Sequence, residues 1–448
     1  MYCNKSLKLI FALILTVCLI VGTCSAMDSN WTQVASQLNS QSYIYSLTTY
    51  DDGTGTAIYG GTATGGRLFK YNATTGGWIQ VAAQLNSQTD IYSLVTYDDG
   101  TGTAIYGGTY KSLNGGRLFK YNASLGSWIQ VAAQLGGQNY IRSLITYDDG
   151  TGTAIFGGTG NSARLYKYNA SLGNWTQVAA SPGGESHILS LVIYDDGTGD
   201  AIYGGPDGTG RLYKYNATTG GWAQVAATIE YQYEIYSLTT YDDGTGEAIY
   251  GGTGNSGLLL KYNSTTNGWT FVAGRIIFQG YIYSLTTYND NTGEAIYGGP
   301  GHGTLDNGRL HKYNTSLGNW TLVTDNLGLD VRSLVRYNDS TGDAIFGGTQ
   351  GGRLFKYNYT YSSATTPVAM FIKNWGSNTV PAPRSINFND TSLNEPTSWN
   401  WTCGENPPAY KTTRNITCAF NMRGWRNVTL TATNAAGSST NYTLMHVI

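Results

Sequence analysis

The chain is poor in charge. Lys, Arg, Asp and Glu make up 12% of its 448 residues, and the formal net charge is −2. That excludes, on electrostatic grounds, nucleic acid and an anionic membrane surface as partners. Proline is scarce, at nine residues, while glycine numbers 60 and tyrosine 36. Many glycines among Tyr, Ile, Thr and Trp read as an all-β chain with frequent turns. The four histidines are scattered and cysteine numbers five, which leaves no ligand set for a structural zinc and implies no cofactor. The one long apolar run is N-terminal, in "MYCNKSLKLIFALILTVCLIVGTCSA". Lys5 and Lys8 precede it and small residues lead to a cut after Ala26, so residues 1–26 read as a secretory signal peptide. It is short for a membrane span, and no direct span is expected after cleavage. The remaining chain keeps Cys403 and Cys418, which read as one disulfide in an oxidising compartment.

What is abundant is repetition. Trp31, Trp78, Trp128, Trp175, Trp222, Trp269 and Trp320 are separated by 47, 50, 47, 47, 47 and 51 residues. Each unit has the parts "YIYSLTTY", "DDGTG", "TAIYGG", a variable loop, "GRLFKYN", a second turn and "WIQVAAQ". Four short strands bounded by Gly, Asn and Asp, repeated at this period, predict a β-propeller of four-stranded antiparallel blades. Seven "SL" strands and seven "KYN" strands are present. The first Trp strand precedes every other part, and none follows Asn358. The N-terminal strand is therefore expected to close the last blade of a seven-bladed propeller over 27–361, hiding an open edge.

An apolar strand ending in Gly-Gly, a Tyr in the next strand (Tyr71) and a Trp opening the last (Trp78) resemble kelch-type propellers. "DDGTG" followed by "AIYGG" is also similar to repeats of large secreted bacterial proteins. Both resemblances imply fold far more than function. After a polar linker at 362–367, residues 368–448 carry Phe388, Asp390, Ser392, Trp399, Trp401, Gly404, Gly424 and "VTLTATNAAGS". These landmarks resemble a PKD-type domain, a small immunoglobulin-like β-sandwich. The family's Asp-Phe pair after the second Trp is Thr402-Cys403 here, and a customary His is Cys418. The resemblance thus implies a Cys403–Cys418 bond across the sandwich. A propeller followed by this domain resembles archaeal surface-layer-type proteins.

Chemistry-bearing motifs are few. A Ser-His-Asp order, an H-E-x-x-H helix and a sialidase-type Asp box are missing. His311 replaces the Phe or Tyr of "RLFKYN" and reads as a strand residue; His302, in a long loop, is the histidine to watch. Non-repeated acids Asp90, Glu185, Asp207, Glu230, Glu234 and Asp306 could furnish a glycosidase pair, but read as solvated loop charge. Arg67, Arg117, Arg164, Arg211, Arg309 and Arg353 open the third strand in six units, with Leu258 in the seventh. They read as structural, each pairing with a carbonyl or carboxylate between blades. "YDDGTG" lacks the alternating ligands of a calcium loop and reads as a turn, with Gly at positive φ. Asn291 can follow Gly there, while Ser340 must strain or shift the turn. No metal site is expected.

Antiparallel connection puts loops one–two and three–four on one face, and loops two–three and four–one on the other. The first face carries seven in-register glycosylation acceptors, at Asn72, Asn122, Asn169, Asn216, Asn263, Asn314 and Asn358. The second face varies. Ser to Trp spans 32 residues from Ser46, but 35 from Ser93 and 36 from Ser284. The excess sits in loop two–three, as in "TYKSLNGG", which contains Tyr110. Near the end of loop four–one stand Tyr45, Tyr92, Arg142, Leu189, Tyr236, Tyr283 and Arg332. Variable length with exposed Tyr and Arg is the composition of a recognition surface. The candidate ligand residues are Tyr45, Tyr92, Tyr110, Arg142, Tyr236, Tyr283, His302 and Arg332. The expectation is a secreted, glycosylated, non-catalytic surface protein that binds an extracellular protein or carbohydrate, or cell-envelope components. A carbohydrate-active hydrolase or lyase on the same face, or a purely structural envelope component, are the alternatives.

Overall fold

The chain is described from a computed structural model. The described residues are 31–448 without 39–40, 86–87, 112–114, 230–232, 255–256, 275–279, 302–307, 325–326, 358–365, 394–395, 405–409 and 435. The expected signal peptide, His302 and Asn358 lie outside them, as do Glu230 and Asp306. The chain divides into two compact units, Met1–Tyr359 and Thr360–Ile448. The described residues are all-β, without an α-helix.

Among the described residues, the first unit contains seven four-stranded antiparallel sheets. The opening strand β1 (Trp31–Ala35) is set aside. Sheet one then runs β2 (Ile44–Asp51), β3 (Thr56–Thr62), β4 (Leu68–Asn72) and β5 (Gly77–Ala82), each paired with the next. Five more sheets repeat this meander, starting at Asp90, Ile141, His187, Ile235 and Tyr281. The seventh has three sequential strands, Val331–Asn338, Asp343–Thr349 and Leu354–Tyr357. Its fourth place, the one the strand count left open, is taken by β1, with Trp31 opposite Tyr357.

The second strand of each sheet explains the "AIYGG" text. Its residues are buried almost throughout, as in β3 with only Thr56 exposed. A strand covered on both faces is a continuous apolar run rather than an alternating one. The two glycines do different work. A Cβ on Gly60 would lie 3.2 Å from the Trp78 ring of its own sheet, whereas one on Gly61 would lie 2.7 Å from Ile91 of the next. The second glycine is therefore where neighbouring sheets touch. The same contact recurs from Gly108 to Ile141, Gly158 to Ile188, Gly205 to Ile235, Gly252 to Ile282, Gly299 to Val331 and Gly348 to Ile44. The last of these joins sheet seven to sheet one.

Two series of hydrogen bonds follow the same order. The "SL" serines bond the following sheet, as in Ser93 Oγ to Ile141 O (3.3 Å) and Ser237 Oγ to Ile282 O (3.0 Å). Ser333 Oγ donates to Ile44 O at 3.3 Å, again sheet seven to sheet one. At the other end of the first strand, Tyr50 donates to Thr103 O (3.1 Å) and Tyr241 to Glu294 O (2.8 Å). Tyr337 donates to Thr56 O at 2.6 Å.

The second unit packs two sheets face to face. One comprises Phe371–Lys373, Arg384–Asp390 and Asn415–Phe420; the other Thr379–Val380, Gly437–Val447, Gly424–Asn434 and Ser398–Thr402. Asn415–Phe420 alternates exposed and buried residues, the pattern of a strand with one face in a core. That core includes Trp401, Phe388, Ile386, Leu430 and Met445. Cys403 and Cys418 form a disulfide with Cα atoms 5.5 Å apart. Cys403 follows a strand of one sheet and Cys418 lies in the other, so the bond ties the sandwich together.

Two outcomes follow for stability. Gly252→Ala should destabilise the first unit by roughly 2 kcal/mol, because its Cβ overpacks the sheet contact against Ser237 Oγ and Ile282 Cγ2. Ser340 stands at φ 76, where the other turns place Gly or Asn, so the turn keeps its shape and the side chain carries the strain. Ser340→Gly should stabilise by about 1 kcal/mol. Urea midpoints of the variants check both.

Candidate functional site

The two ends of the sheets differ in kind. At the "DDGTG" end the chemistry is repeated and internally satisfied. Asp51 Oδ1 accepts Gly53 N (2.8 Å) and Gly55 N (3.0 Å), closing the turn. Asp52 Oδ1 accepts Thr54 N and Oγ1, while Oδ2 accepts Tyr59 OH (2.8 Å) and Lys70 Nζ (2.7 Å). The first acid shapes the turn and the second locks it to strands two and three. Six further pairs repeat the lock, from Lys120–Asp99 to Lys356–Asp339. In sheets three and seven the Tyr is Phe156 and Phe346. Lys167 and Lys356 then take both carboxylate oxygens. Burial alone raises the Asp52 carboxyl, but the bonds from Lys70, Thr54 and Tyr59 outweigh it and hold it well below the usual carboxylate range.

The acceptor asparagines also serve the turns. Asn72 Oδ1 accepts Thr74 N (2.9 Å) and Thr75 N (3.0 Å); Asn122, Asn169, Asn216, Asn263 and Asn314 cap their turns alike. An Asx turn is a structural reason for this Asn in every repeat.

The opposite end is built from irregular residues. In every sheet the pairing of strands one and two slips at one position, and the extra residues are Tyr45, Tyr92, Arg142, Leu189, Tyr236, Tyr283 and Arg332. These are β-bulges, which re-aim a side chain and recur beside functional sites. Two residues earlier stand Tyr43, Asp90, Tyr140, His187, Glu234, Tyr281 and Asp330. The two tiers form a belt that crosses from sheet to sheet. Tyr45 stacks on Tyr92 at 4.6 Å, and the Arg142 guanidinium lies 4.4 Å from Tyr92 and 4.5 Å from Tyr140. Tyr140 stacks on Tyr110 at 4.2 Å and meets His187 edge-on at 5.5 Å. Tyr236 meets Tyr281 and Tyr283 edge-on at 5.1 and 5.2 Å. Arg332 lies 3.8 Å over Tyr283 and 5.0 Å over Tyr43, passing from sheet seven to sheet one. Burial pushes the Tyr283 hydroxyl up to about 12 and raises Tyr45, Tyr92 and Tyr236, so all four are protonated donors at neutral pH.

The belt has an acidic arc. His187 Nδ1 lies 2.9 Å from Asp207 Oδ2. That bond holds the Asp207 carboxyl below its ordinary value, whereas burial and then the Asp207 charge push Glu234 up. Asp330 is neutralised by Arg332 at 2.9 Å. Asp90, held up by burial, accepts Thr64 N at 3.1 Å.

The structure therefore brings Tyr45, Tyr92, Tyr110, Arg142, Tyr236, Tyr283 and Arg332 together. It corrects the reading of the acids. Asp90, Asp207 and Glu234 are half-buried in the belt rather than solvated. Glu185 is 5% exposed and accepts hydrogen bonds from Thr209 Oγ1 and Tyr213 OH. His187, one of the scattered histidines, also lies in the belt. Its signal in the sequence is its place two residues before Leu189, on the same strand face. Two of the arginines are corrected too. Arg117 donates to Gln130 Oε1 (3.2 Å) in its own sheet, and Arg211 lies 3.8 Å from Glu185, so these partners lie within a repeat and not between sheets. Two surface concavities have linings that include no belt residue. One of about 430 Å³ is lined by Phe371, Ile372, Trp375 and Tyr442; one of about 170 Å³ by Tyr241, Lys312 and Asn314.

His311 is a buried strand residue, and burial pushes it from 6.5 down to about 4. Its folded value is depressed, so its contribution is present above about 6.5 and is lost as the pH falls toward 4. The aspartate locks are depressed from about 4, so theirs is lost only below that. Unfolding midpoints against pH should show two acid limbs, and His311→Phe should remove the upper one.

Residues 372–447 match the family model of the PKD domain. No curated protein matches the chain. Two facing sheets around Trp401, tied by Cys403 and Cys418, and this match over nearly all of the second unit lead to one conclusion: the C-terminal unit is a PKD domain.

Proposed function

We propose that the first unit is a seven-bladed β-propeller of an exported, non-catalytic surface protein, and that it holds a carbohydrate on the tyrosine–arginine belt. The return of the glycine contacts and both hydrogen-bond series from sheet seven to sheet one supports the propeller. PKD domains often occur in extracellular proteins, and a disulfide is stable in an oxidising compartment. Both support export. The PKD domain then acts as a spacer or envelope contact, and the asparagines of the "DDGTG" face carry glycans.

One observation carries the ligand class. The belt joins flat phenol rings, protonated hydroxyls and guanidinium groups in a single half-buried band. Sugar C–H faces stack on such rings, and sugar hydroxyls bond the polar tips.

The acidic arc favours a second reading, a carbohydrate-active hydrolase or lyase. The Asp207 carboxyl is held below its ordinary value and the neighbouring Glu234 carboxyl above it, shifts in the directions that suit a base beside an acid.

A glycan array followed by calorimetry on the best hits tests the first reading. Tyr236→Ala with Tyr283→Ala should weaken binding by at least roughly tenfold. Ile79→Ala, an exposed change in β5, should not. Unchanged binding by the double variant refutes the site. Release of reducing ends from a bound sugar, lost in Glu234→Gln, selects the enzyme instead. No binding to any sugar leaves a structural envelope component.

A further inference from the structure

The PKD domain exposes large apolar side chains beside an acceptor asparagine. In Gly424–Asn434, Val428, Leu430 and Ala432 face the core, so Trp425, Asn427 and Thr429 face outward. Trp425 is 61% exposed. Its indole is held by stacking on His446, with centroids 4.4 Å apart and planes 17° from parallel. Across the ladder, Leu444 stands opposite Asn427 and Tyr442 opposite Thr429, and they are 45% and 66% exposed. Leaving an indole, a leucine and a phenol of one sheet face in water has a cost. Something apolar on one side and polar on the other would remove it.

The sequence between them supplies that group. Asn427-Val428-Thr429 is an N-x-T acceptor, and on a strand its Asn and Thr share a face with the residue two before. Two residues of rise, about 6.7 Å, separate Trp425 from Asn427. A sugar ring on Asn427 reaches the indole without any change of backbone. We propose that Asn427 carries an N-linked glycan whose first sugar lies on Trp425 and Leu444, so that the exposed apolar face is covered by the chain's own modification. The inference rests on the reading of the chain as exported.

The chemistry is a glycosyl transfer from a lipid-phosphate-linked oligosaccharide. Asn427 Nδ2 forms the new bond to the anomeric carbon. The bond from that carbon to the phosphate oxygen breaks, and the lipid phosphate leaves with its electron pair. Nδ2 loses one proton to a base of the transferase, and nothing is oxidised or reduced. No charged side chain projects beside Asn427 from the two outward positions that flank it, Trp425 and Thr429, so a neutral first sugar meets no unpaired charge there.

Glycopeptide mass spectrometry of the full chain from its native host tests the assignment, and thermal unfolding tests the stacking. The Asn427 peptide should carry sugar. In the glycosylated chain Trp425→Ala should lower the midpoint by about 3 °C more than it does in an Asn427→Gln chain, and Trp425→Phe should keep most of the difference. Equal drops in both backgrounds overturn the stacking. An unmodified Asn427 in a chain that bears sugar at Asn72 or Asn263 overturns the assignment and leaves the export reading standing. A chain retained inside the cell without sugar at any acceptor overturns both.

Discussion

Everything in the first unit depends on how closely one sheet can approach the next. The second glycine of "AIYGG" sets that distance, because the isoleucine or valine of the following sheet occupies the space a Cβ needs. That approach buries the second strand on both sides and gives it its unbroken apolar text. It also brings the first strands near enough for serine and tyrosine hydroxyls to reach the neighbouring backbone. The belt is a further result. Tyr45 can stack on Tyr92, and Arg332 on Tyr43, only because their strands belong to sheets held at this spacing.

The two ends of the sheets use one architecture for opposite purposes. At the "DDGTG" end each repeat satisfies itself: the acid has its lysine, the turn its asparagine, and the loss of a tyrosine is met by a second oxygen–lysine contact. At the bulge end the repeats differ, and each is completed by its neighbours. Arg142 is shared between rings of two sheets, and Arg332 between sheets six and one. A surface whose side chains complete one another across sheets can vary one repeat at a time.

Most of the fold was legible because it is written in periods. The Trp spacing, the strand count and the displaced first strand lead to the sheets and to the fourth place filled by β1, while the Cys403–Cys418 tie comes from the two remaining cysteines and the PKD resemblance. What was not legible lies beyond a local window. Asp52 reads as half of a turn, and its lysine stands 18 residues on, in another strand. The bulge cannot be seen in the text, since an extra residue looks like any other, yet it decides where Tyr236 points. Asp207 and Glu234 read as loop charge because each lies near a loop, but Asp207 ends its strand and bridges Glu234. Burial there comes from two repeats together.

The displaced first strand also sets a timetable. Among the described strands of the unit β1 is made first, yet its partner Leu354–Tyr357 is made last. Until Tyr357 has been made, β1 has no partner strand and the growing unit keeps an unfilled edge. Sheets one to six can form in turn from neighbours in sequence, but the seventh waits for its two ends to meet, a contact with a large loop-closure entropy. The unit thus cannot complete its last sheet until both of its ends are present.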